Sequence, residues 1–338
     1  MEITCNELYT TDEIADFLKV SSITIKRYIS ENRIPSIKIN GLRRFKGEAV
    51  LDLINKPFPS EINFLGNTVK NQADIAEFIN QTFEGDCLDI LPSLPDRSID
   101  MILCDLPYGT TQNSWDSMIP LGELWSQYER IIKDNGVIAL TGQGVFTAKL
   151  ILSNPNLFKY KISWIKSKST NFLNAKKQPL RKHEDICIFY KKQPKYHPQM
   201  SPGLPFNKGF RKNQLTGSYG DFNSVEVKSN GERYPNDVVY FKTAESEGEV
   251  FHPTQKPIEL GRYLIKTFTN DNDIVLDNAC GSGSFLVSAV LENRKFIGIE
   301  KNKEVYLHKQ KRVDYIEVCN KRVEIAKKEL KNRPKKLF

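Results

Sequence analysis

The feature that most constrains the fold is a largely apolar run, residues 99–104, that stops abruptly at Asp105, Leu106, Pro107 and Tyr108. A short apolar run bounded by turn-forming residues is typical of a buried strand. Ligands of open α/β sheets bind beyond the carboxyl ends of the strands. The pattern therefore predicts a site at this strand end. Asp105 would supply two acceptor oxygens there, and Tyr108 would supply a flat face for stacking.

A second strand-to-loop pattern lies near the C-terminus. A predicted strand at residues 273–277 leads into a loop with Gly281 and Gly283, and a helix follows. A further predicted strand at residues 296–299 ends at Glu300. Glycines let the backbone approach a ligand closely, and a carboxylate at this spacing can accept both hydroxyls of a ribose. The pattern therefore predicts a nucleoside site.

Two other nucleotide-binding interpretations of this loop fail. A P-loop requires Lys and then Ser or Thr after its last glycine, whereas Ser284 and Phe285 follow Gly283. The dinucleotide fingerprint requires a third glycine, where Leu286 stands. A ligand with an adenosine and a charged amino-acid end fits better, and S-adenosylmethionine is such a ligand.

The first motif resembles the catalytic signature Asp-Pro-Pro-Tyr of the β-class DNA amino-methyltransferases, with Leu106 in place of a proline. In that family the backbone carbonyl at this position joins the aspartate in accepting the amine protons, and leucine retains the carbonyl. The resemblance implies that Asp105, Leu106, Pro107 and Tyr108 form the catalytic loop. Its extension resembles a phage-type adenine-specific subgroup at Thr110, Thr111, Asn113, Trp115 and Asp116.

The second motif resembles the family's cofactor loop, Asp-Pro-Phe-x-Gly-Ser-Gly-Thr, with departures at Asn278 and Ala279. Residues 252–257 resemble the segment that closes over the methionine end of the cofactor. The resemblance implies S-adenosyl-L-methionine as the cofactor. The cofactor-binding residues that it implies are Asp86, Cys87, His252, Thr254, Lys256, Asp277, Ala279, Gly281, Ser282, Gly283 and Glu300.

The order of the motifs predicts the fold. The catalytic strand precedes the cofactor loop, and after Glu300 we expect only one charged helix, residues 303–331. The strand missing from the sheet must then come from residues 83–87, which brings Asp86 near the adenine of the cofactor. This is the permuted order of the β-class. It predicts an α/β, Rossmann-like methyltransferase fold with a mostly parallel, circularly permuted seven-stranded sheet.

The N-terminal residues resemble excisionase/MerR-like helix-turn-helix domains. Two short helices are predicted, and Asn40-Gly41 predicts a hairpin between strands that carry basic residues. The DNA-binding candidates in this region are Lys26, Arg27, Arg43 and Arg44. A small helical protein-interaction module is the alternative. The predicted domains are a winged helix-turn-helix domain (1–56), a linker with a short helix (57–82) and a methyltransferase domain (83–338) with a target-recognition insert (191–251).

The net charge of +8 is unevenly distributed. Residues 159–212 contain 14 Lys or Arg and two acidic residues, a balance that suits a phosphate backbone. Lys176, Lys177 and Arg181 are the DNA-contact candidates of this segment. Residues 193–251 lack periodicity and interleave basic with aromatic side chains, as nucleic-acid-binding segments do.

Composition excludes other classes. Six scattered cysteines without paired spacing predict a reduced, cytoplasmic protein, and four histidines without a ligand cluster predict no metal site. No run is long and apolar enough to predict a membrane span.

The prediction is a site-specific DNA methyltransferase that flips a base out of double-stranded DNA and methylates adenine N6. Adenine is favoured because the resembled cytosine-N4 enzymes more often begin the catalytic motif with Ser. A cytosine-C5 enzyme is excluded because no Pro-Cys pair supplies its nucleophile. Cytosine N4, an RNA substrate and a catalytically idle DNA-binding regulator remain alternatives. The resemblance also allows for a restriction endonuclease partner, and the oligomeric state stays open.

Overall fold

The computed structural model describes residues 3–4, 7–18, 22–30, 34–39, 42–55, 74–109, 118–211, 214–216, 220–302, 306–308 and 311–332. The chain divides into two compact units, Met1–Gln72 and Ala73–Phe338. The motif residues Thr110, Thr111, Asn113, Trp115 and Asp116 lie outside the described residues, as does most of the predicted linker.

The N-terminal unit has the predicted helices and wing. Its elements are β1 (Leu8–Tyr9), α1 (Thr11–Leu18), α2 (Ser22–Ser30), β2 (Ile37–Ile39), β3 (Leu42–Lys46) and α3 (Gly47–Asn55). Helix α1 begins at a reciprocal capping pair, because the Glu13 amide donates to the Thr10 hydroxyl and the Thr10 amide to the Glu13 carboxylate. Ile14, Ile25 and Phe45 are fully buried and join the helices to the antiparallel sheet β1-β3-β2.

The second unit alternates strands and helices through its first half and again near its end. Its strands are β4 (Gln81–Glu84), β5 (Ile99–Cys104), β6 (Ile132–Gly142), β7 (Phe158–Thr170), β8 (Arg181–Phe189), β9 (Ser201–Pro202), β10 (Phe206–Arg211), β11 (Gln214–Thr216), β12 (Gly220–Phe222), β13 (Val225–Ser229), β14 (Glu232–Arg233), β15 (Val238–Phe241), β16 (Ile274–Asp277), β17 (Lys295–Glu300), β18 (Tyr306–His308) and β19 (Lys311–Val313). Its α-helices are α4 (Cys87–Ile90), α5 (Leu121–Ile131), α6 (Val145–Ser153), α7 (Ile258–Phe268), α8 (Ser284–Leu291) and α9 (Tyr315–Asn332).

The main sheet has the strand order β15-β7-β8-β6-β5-β16-β17-β4. Strand β8 pairs antiparallel with both its neighbours, and the other pairings in this sheet are parallel. The mostly parallel, permuted sheet is therefore confirmed, and β4 completes it by pairing with β17. The predicted number of seven strands is wrong. Eight strands pair because β15, four residues of the insert that the sequence left without periodicity, adds to β7 in parallel.

Strand β4 differs from its prediction in position. It was predicted at residues 83–87 but ends at Glu84, because Gly85 turns the chain and Asp86 caps α4 by accepting from the Leu88 amide. The strand also begins at Gln81, inside the predicted linker of residues 57–82. The helix expected within that linker is described only as a short 3-10 turn, Ile75–Glu77.

The C-terminal prediction is also partly wrong. Helix α9 begins at Tyr315 rather than at residue 303, and a small hairpin, β18–β19, precedes it. This hairpin pairs with itself and adds nothing to the main sheet.

The central strands are buried on both faces. All six residues of β5 and all four of β16 are buried, and helices pack on each side. Apolar runs of this kind are typical of parallel sheets covered on both faces. Such burial fixes the strand register, and it therefore fixes where each strand ends.

Candidate active site

The two sequence motifs meet at one edge of the sheet. Strands β5 and β16 are parallel neighbours, with Met101 opposite Val275 and Ile102 opposite Leu276. The chain leaves β5 at Asp105 and leaves β16 after Asp277, so the catalytic loop and the glycine loop begin side by side. Strand β17 lies next to β16 and brings Glu300 to the same edge.

Asp105 is held by three side chains. Its Oδ1 accepts from the Tyr108 hydroxyl at 2.9 Å and also from the Thr141 hydroxyl. Its Oδ2 accepts from the Lys256 ammonium at 2.7 Å. These contacts fix the carboxylate plane at the end of β5. Thr141 lies in the neighbouring strand β6, and no sequence pattern marked it.

Tyr108 is oriented by both its ends. Its ring stacks on Phe146 with centroids 4.7 Å apart and an interplanar angle of 24°. Burial, and then the Asp105 charge, raise the pKa of its hydroxyl well above the ordinary value. The hydroxyl therefore stays protonated and donates a hydrogen bond to Asp105.

Lys256 lies deeper than a cofactor-closing segment suggests. Its ammonium contacts Asp105 and, at 3.3 Å, Glu184, and its side chain is only 7% exposed. Burial alone would lower the pKa of Lys256, but Asp105 and Glu184 raise it well above the ordinary value. Lys166 pairs with the other Glu184 oxygen at 3.0 Å. Asp105, Lys256, Glu184 and Lys166 thus form a chain of alternating charges.

Glu184 stays ionised within that chain. Burial favours its neutral form, but Lys256 and Lys166 outweigh burial and lower its pKa. Sequence reasoning missed Glu184 and Lys166 because they come from β8 and β7, which reach the end of β5 only through the pairing of β8 with β6.

The glycine loop has the shape of a ligand cradle. Gly281 has φ +49°, and among the described residues a Cβ there would meet only the His252 ring, at 3.9 Å. The space over this glycine is therefore open on the ligand side. Gly283 has φ +79° and lies so close to Cys319 that a side chain would collide with the thiol. One glycine thus leaves room for a ligand, and the other allows α9 to pack.

Carboxylates surround this cradle. One Glu300 oxygen accepts from the Gly281 amide at 2.7 Å, and burial raises the pKa of Glu300. Burial raises the pKa of Asp277 to about 7, although the Cys104 thiol and the Ala279 amide donate to it. Glu300 contacts Gly281 directly and Asp277 precedes Gly281 by four residues, so either carboxylate, when ionised, can attract a cationic ligand.

The segment predicted to close over the cofactor lies against the loop. The Ser282 hydroxyl donates to the Gln255 side chain at 3.1 Å, and the Thr254 amide donates to the His252 ring at 3.2 Å. Arg322 of α9 also donates to Ser282, at 3.0 Å. Gln255 lies in the predicted segment, although the sequence assigned it no contact of its own. Sequence reasoning missed Arg322, which lies too far along the chain for a local pattern to mark it.

Comparison with known proteins identifies the family. Residues 99–312 match the model of the DNA methylase family, which covers more than half of the chain. The chain belongs to this family. Residues 8–57 match a helix-turn-helix domain. The chain is therefore a DNA methyltransferase with an N-terminal helix-turn-helix domain, and its methyl donor is S-adenosylmethionine.

Two curated relatives each match about two thirds of this chain. The DNA adenine methyltransferase YhdJ of Escherichia coli (strain K12) is 29% identical over 248 residues, which cover 68% of this chain and 81% of the relative. The Type II methyltransferase M2.MboI of Moraxella bovis is 26% identical over 248 residues, with 66% and 83% covered. Among solved structures, the M1.HpyAVI–SAM complex has a TM-score of 0.49 and 21% identity, with 72% of this chain and 98% of that chain covered.

The observed loop fits the cofactor of a DNA methylase. The open face of Gly281 gives the backbone access to a ligand, and Glu300 and Asp277 suit a ligand with a net positive charge. The buried amide nitrogen of Asn278 has no hydrogen-bond partner among the described residues, so a donor is available beside the cradle. Asn278 stands at a departure from the family's loop, and the Tyr128 hydroxyl donates to its oxygen at 2.5 Å.

Asp86 and Cys87 follow β4, the terminal strand of the sheet, and lie next to the end of β17. Asp86 caps α4 and pairs with Lys301 at 3.5 Å, and the adjacent Gly85 amide donates to the Glu300 carbonyl at 2.9 Å. Cys87 is the first residue of α4 and is buried. The end of β4 is thus tied to the end of β17, where the sequence predicted an adenine contact.

The DNA-contact candidates lie in both units. Lys26 and Arg43 are exposed in the N-terminal unit and Arg44 is half-buried, whereas the side chain of Arg27 lies outside the described residues. Lys176, Lys177 and Arg181 are exposed at the connection between β7 and β8. Each unit therefore presents cations to solvent.

The described residues show neither a metal-binding cluster nor a membrane-spanning helix. In the described parts of the chain, no group of three or more His, Cys, Asp or Glu side chains could hold a metal ion. No described helix has the length and apolarity needed to cross a membrane.

Proposed function

We propose that this DNA methylase transfers the methyl group of S-adenosylmethionine to the N6 amine of an adenine flipped out of double-stranded DNA at a specific sequence. The observation that carries the proposal is the Asp105 carboxylate, fixed at the end of β5 beside the Gly281 cradle. An aspartate at this position is the feature that favours adenine over cytosine in the resembled family. The relative YhdJ, named as a DNA adenine methyltransferase, supports the same choice.

The chemistry required of the chain is modest. An exocyclic amine is a weak nucleophile because its lone pair is delocalised into the ring. When the Asp105 carboxylate and the Leu106 carbonyl accept hydrogen bonds from the two N–H groups of the amine, the lone pair is directed toward the methyl donor. The cofactor supplies a methyl group on a sulfonium, which is a good leaving group. As the N–C bond forms, the S–C bond of the sulfonium breaks, and the amine loses one proton, which the Asp105 carboxylate can accept. The contribution of the protein is therefore positioning and electrostatic stabilisation.

Lys256 has to give way for this geometry to form. Its ammonium contacts Oδ2 of Asp105, the oxygen that does not accept from Tyr108 or Thr141 and that a target amine would use. The Glu184 oxygen 3.3 Å away gives Lys256 an alternative partner inside the same pocket. In our proposal Lys256 turns toward Glu184 as the base arrives, which frees Oδ2. Tyr108 then provides the face on which the base stacks.

The proposed reaction can be tested in cells that lack DNA methylation of their own. After expression of the full chain, digestion of the DNA to nucleosides and mass spectrometry should detect N6-methyladenine, and sequencing should map it to one sequence context. Asp105→Ala is the matched negative control. N4-methylcytosine would overturn the choice of base, methylated RNA with unmodified DNA would overturn the substrate, and no methylated nucleoside would favour an idle regulator.

The helix-turn-helix domain would add affinity for the DNA backbone. Lys26→Ala and Arg43→Ala should each weaken DNA binding and reduce the slope of log affinity against log salt by about 1. A fluorescence titration across salt concentrations measures this slope. Unchanged slopes would support the alternative of a protein-interaction module. A restriction endonuclease partner stays a prediction of the family resemblance.

A further inference from the structure

The connection between β7 and β8, residues 171–180, carries two adjacent apolar side chains that are almost fully exposed. Phe172 is 76% exposed and Leu173 is 85% exposed, whereas Leu180 at the end of the connection is 42% exposed. Phe172 and Leu173 lie in a 3-10 turn, Phe172–Asn174. Two large apolar side chains that are exposed to water add no buried apolar surface to the free protein. Such a pair commonly marks an interaction site. We call residues 171–180 the β7–β8 tip.

Hydrogen bonds give this tip a defined shape. Asn171 has a left-handed conformation, φ +70°, and its side-chain oxygen accepts from the Asn174 amide group at 2.7 Å. The Ala175 amide donates to the Phe172 carbonyl at 3.1 Å, and the Lys177 amide to the Asn174 carbonyl at 2.8 Å. Phe172 and Leu173 are therefore held outward by a built turn.

The base of the tip is joined to the active site by two routes. Arg181 donates to the Gln143 side chain at 3.0 Å, and Gln143 donates to the His183 carbonyl at 2.9 Å. Gln143 lies two residues after Thr141, whose hydroxyl contacts Asp105.

The second route runs along β8. Glu184 pairs with Lys256, which pairs with Asp105. A strand rises about 3.3 Å per residue, so Arg181 lies roughly 10 Å farther along β8 than Glu184. The tip consequently extends beyond the sheet edge at which a flipped base would enter.

The charge of the tip and of the strand ends beside it matches a nucleic-acid backbone. Between Lys168 and His183 the chain has five basic residues and no acidic residue. These basic residues are all exposed, and they are Lys168, Lys176, Lys177, Arg181 and Lys182. An apolar tip surrounded by cations suits a partner whose outside is anionic and whose inside is a stack of flat rings. A DNA duplex has that chemistry.

We propose that Phe172 and Leu173 form a wedge that enters the duplex at the target base pair and fills the gap left by the flipped base. This inference rests on the proposed function. Apolar side chains inserted between base steps replace part of the lost stacking, and the flanking cations bind phosphates on either side. The wedge would thereby lower the free energy of the flipped state without touching the reacting atoms.

The test separates base opening from the later steps. Once the target sequence is mapped, two duplexes are compared, one fully paired and one with an abasic site opposite the target base, where opening costs less. The variant Phe172→Ala/Leu173→Ala should methylate the paired duplex about tenfold more slowly in single turnover, and the abasic duplex within about twofold of wild type. Phe172→Leu keeps an apolar tip and should retain the wild-type rate.

Two controls isolate the wedge. Ile325→Ala removes an apolar side chain that is 65% exposed on α9 and should change neither rate. Lys176→Ala/Lys177→Ala should weaken binding to both duplexes equally, since those side chains would contact phosphates. Unchanged affinity for S-adenosylmethionine and an unchanged unfolding temperature verify that each variant is folded.

The outcomes distinguish the two proposals. Equal losses of rate on the paired and abasic duplexes, or no loss on either, would overturn the wedge. If the wild-type protein methylates neither duplex, the proposed function itself fails. If it methylates both and the double variant keeps pace, only the wedge fails.

Discussion

Two pairs of carboxylates, one half-buried and one buried, lie at the same edge of the sheet and differ in how their charge is balanced. On the acceptor side, Asp105 and Glu184 share the Lys256 ammonium, and Lys166 contacts Glu184 from β7. On the side proposed to bind the cofactor, Asp277 and Glu300 accept from backbone amides and the Cys104 thiol. Among the described residues, no cation forms an ion pair with either of those two.

This difference matches the two ligands of a DNA methylase. S-adenosylmethionine carries a net positive charge, and the side with uncompensated acids would bind it. The base is neutral, and the side that balances its own carboxylates would receive it. Burial raises the pKa values of Asp277 and Glu300, whereas the lysines lower that of Glu184. Each of the four predictions below tests this division.

The largest expected effect is on the acceptor side. Asp105→Asn keeps the shape of the side chain but removes the charge that directs the amine lone pair. Methyl transfer should fall about 10³-fold, while the affinity for S-adenosylmethionine stays within about twofold. Single-turnover assays and calorimetry measure the two quantities. A parallel loss of cofactor affinity would show that the two sides are not separate.

The second prediction concerns Lys256. Lys256→Met leaves Asp105 and Glu184 without their shared cation in a buried site, so the free energy of unfolding should fall by about 3–5 kcal/mol. Urea denaturation measures this change. Glu184 keeps its ion pair with Lys166, whereas Asp105 has no other ion-pair partner among the described residues. The double variant Lys256→Met/Asp105→Asn removes that stranded charge and should regain part of the stability. A single variant as stable as wild type would contradict the charge chain.

The third prediction concerns pH and Asp277. The pKa of Asp277 is about 7 in the folded chain, above the ordinary value of 3.8, so the folded state keeps a proton that the unfolded state releases. This group therefore contributes a loss of stability as pH rises between these two values, of roughly 2–3 kcal/mol from pH 5 to pH 8. The free energy of unfolding of the wild type should fall by this amount relative to that of Asp277→Asn across the same pH range. Parallel curves would contradict the raised pKa.

The smallest expected effect is on cofactor choice. Glu300→Gln removes one uncompensated charge from the cofactor side, so the affinity for S-adenosylmethionine should fall about tenfold. The affinity for S-adenosylhomocysteine, which lacks the sulfonium charge, should fall less. Titration calorimetry with both compounds measures the difference. Equal losses would mean that Glu300 acts on a part that both compounds share.

The sequence predicted the elements whose signals are local. The β5 run ending at Asp105 and the strand leading to Gly281 are visible in short windows, because buried strands and glycine turns have their own composition. Their meeting at one edge followed from the neighbouring positions of β5 and β16. Strand β4 was misplaced because Gly85 and Asp86, which turn the chain and cap a helix, follow the strand directly.

The residues that the sequence missed depend on distant pairing. Glu184 reaches Lys256 only because β8 runs antiparallel beside β6, and Arg322 reaches Ser282 from the last helix. Strand β15 is four residues in a polar insert, too short for a periodic pattern. Tertiary contacts, rather than local propensity, determine these features.

The most direct test of the account follows the methyl group itself. The purified chain is incubated with duplex DNA containing the mapped target and with S-adenosylmethionine labelled in its methyl group, and the nucleosides are analysed by mass spectrometry. We expect the label on the N6 amine of deoxyadenosine, and we expect no label when the Asp105→Ala protein is used. Label on the N4 amine or the C5 atom of cytosine, or undiminished labelling in the Asp105→Ala protein, would contradict this prediction.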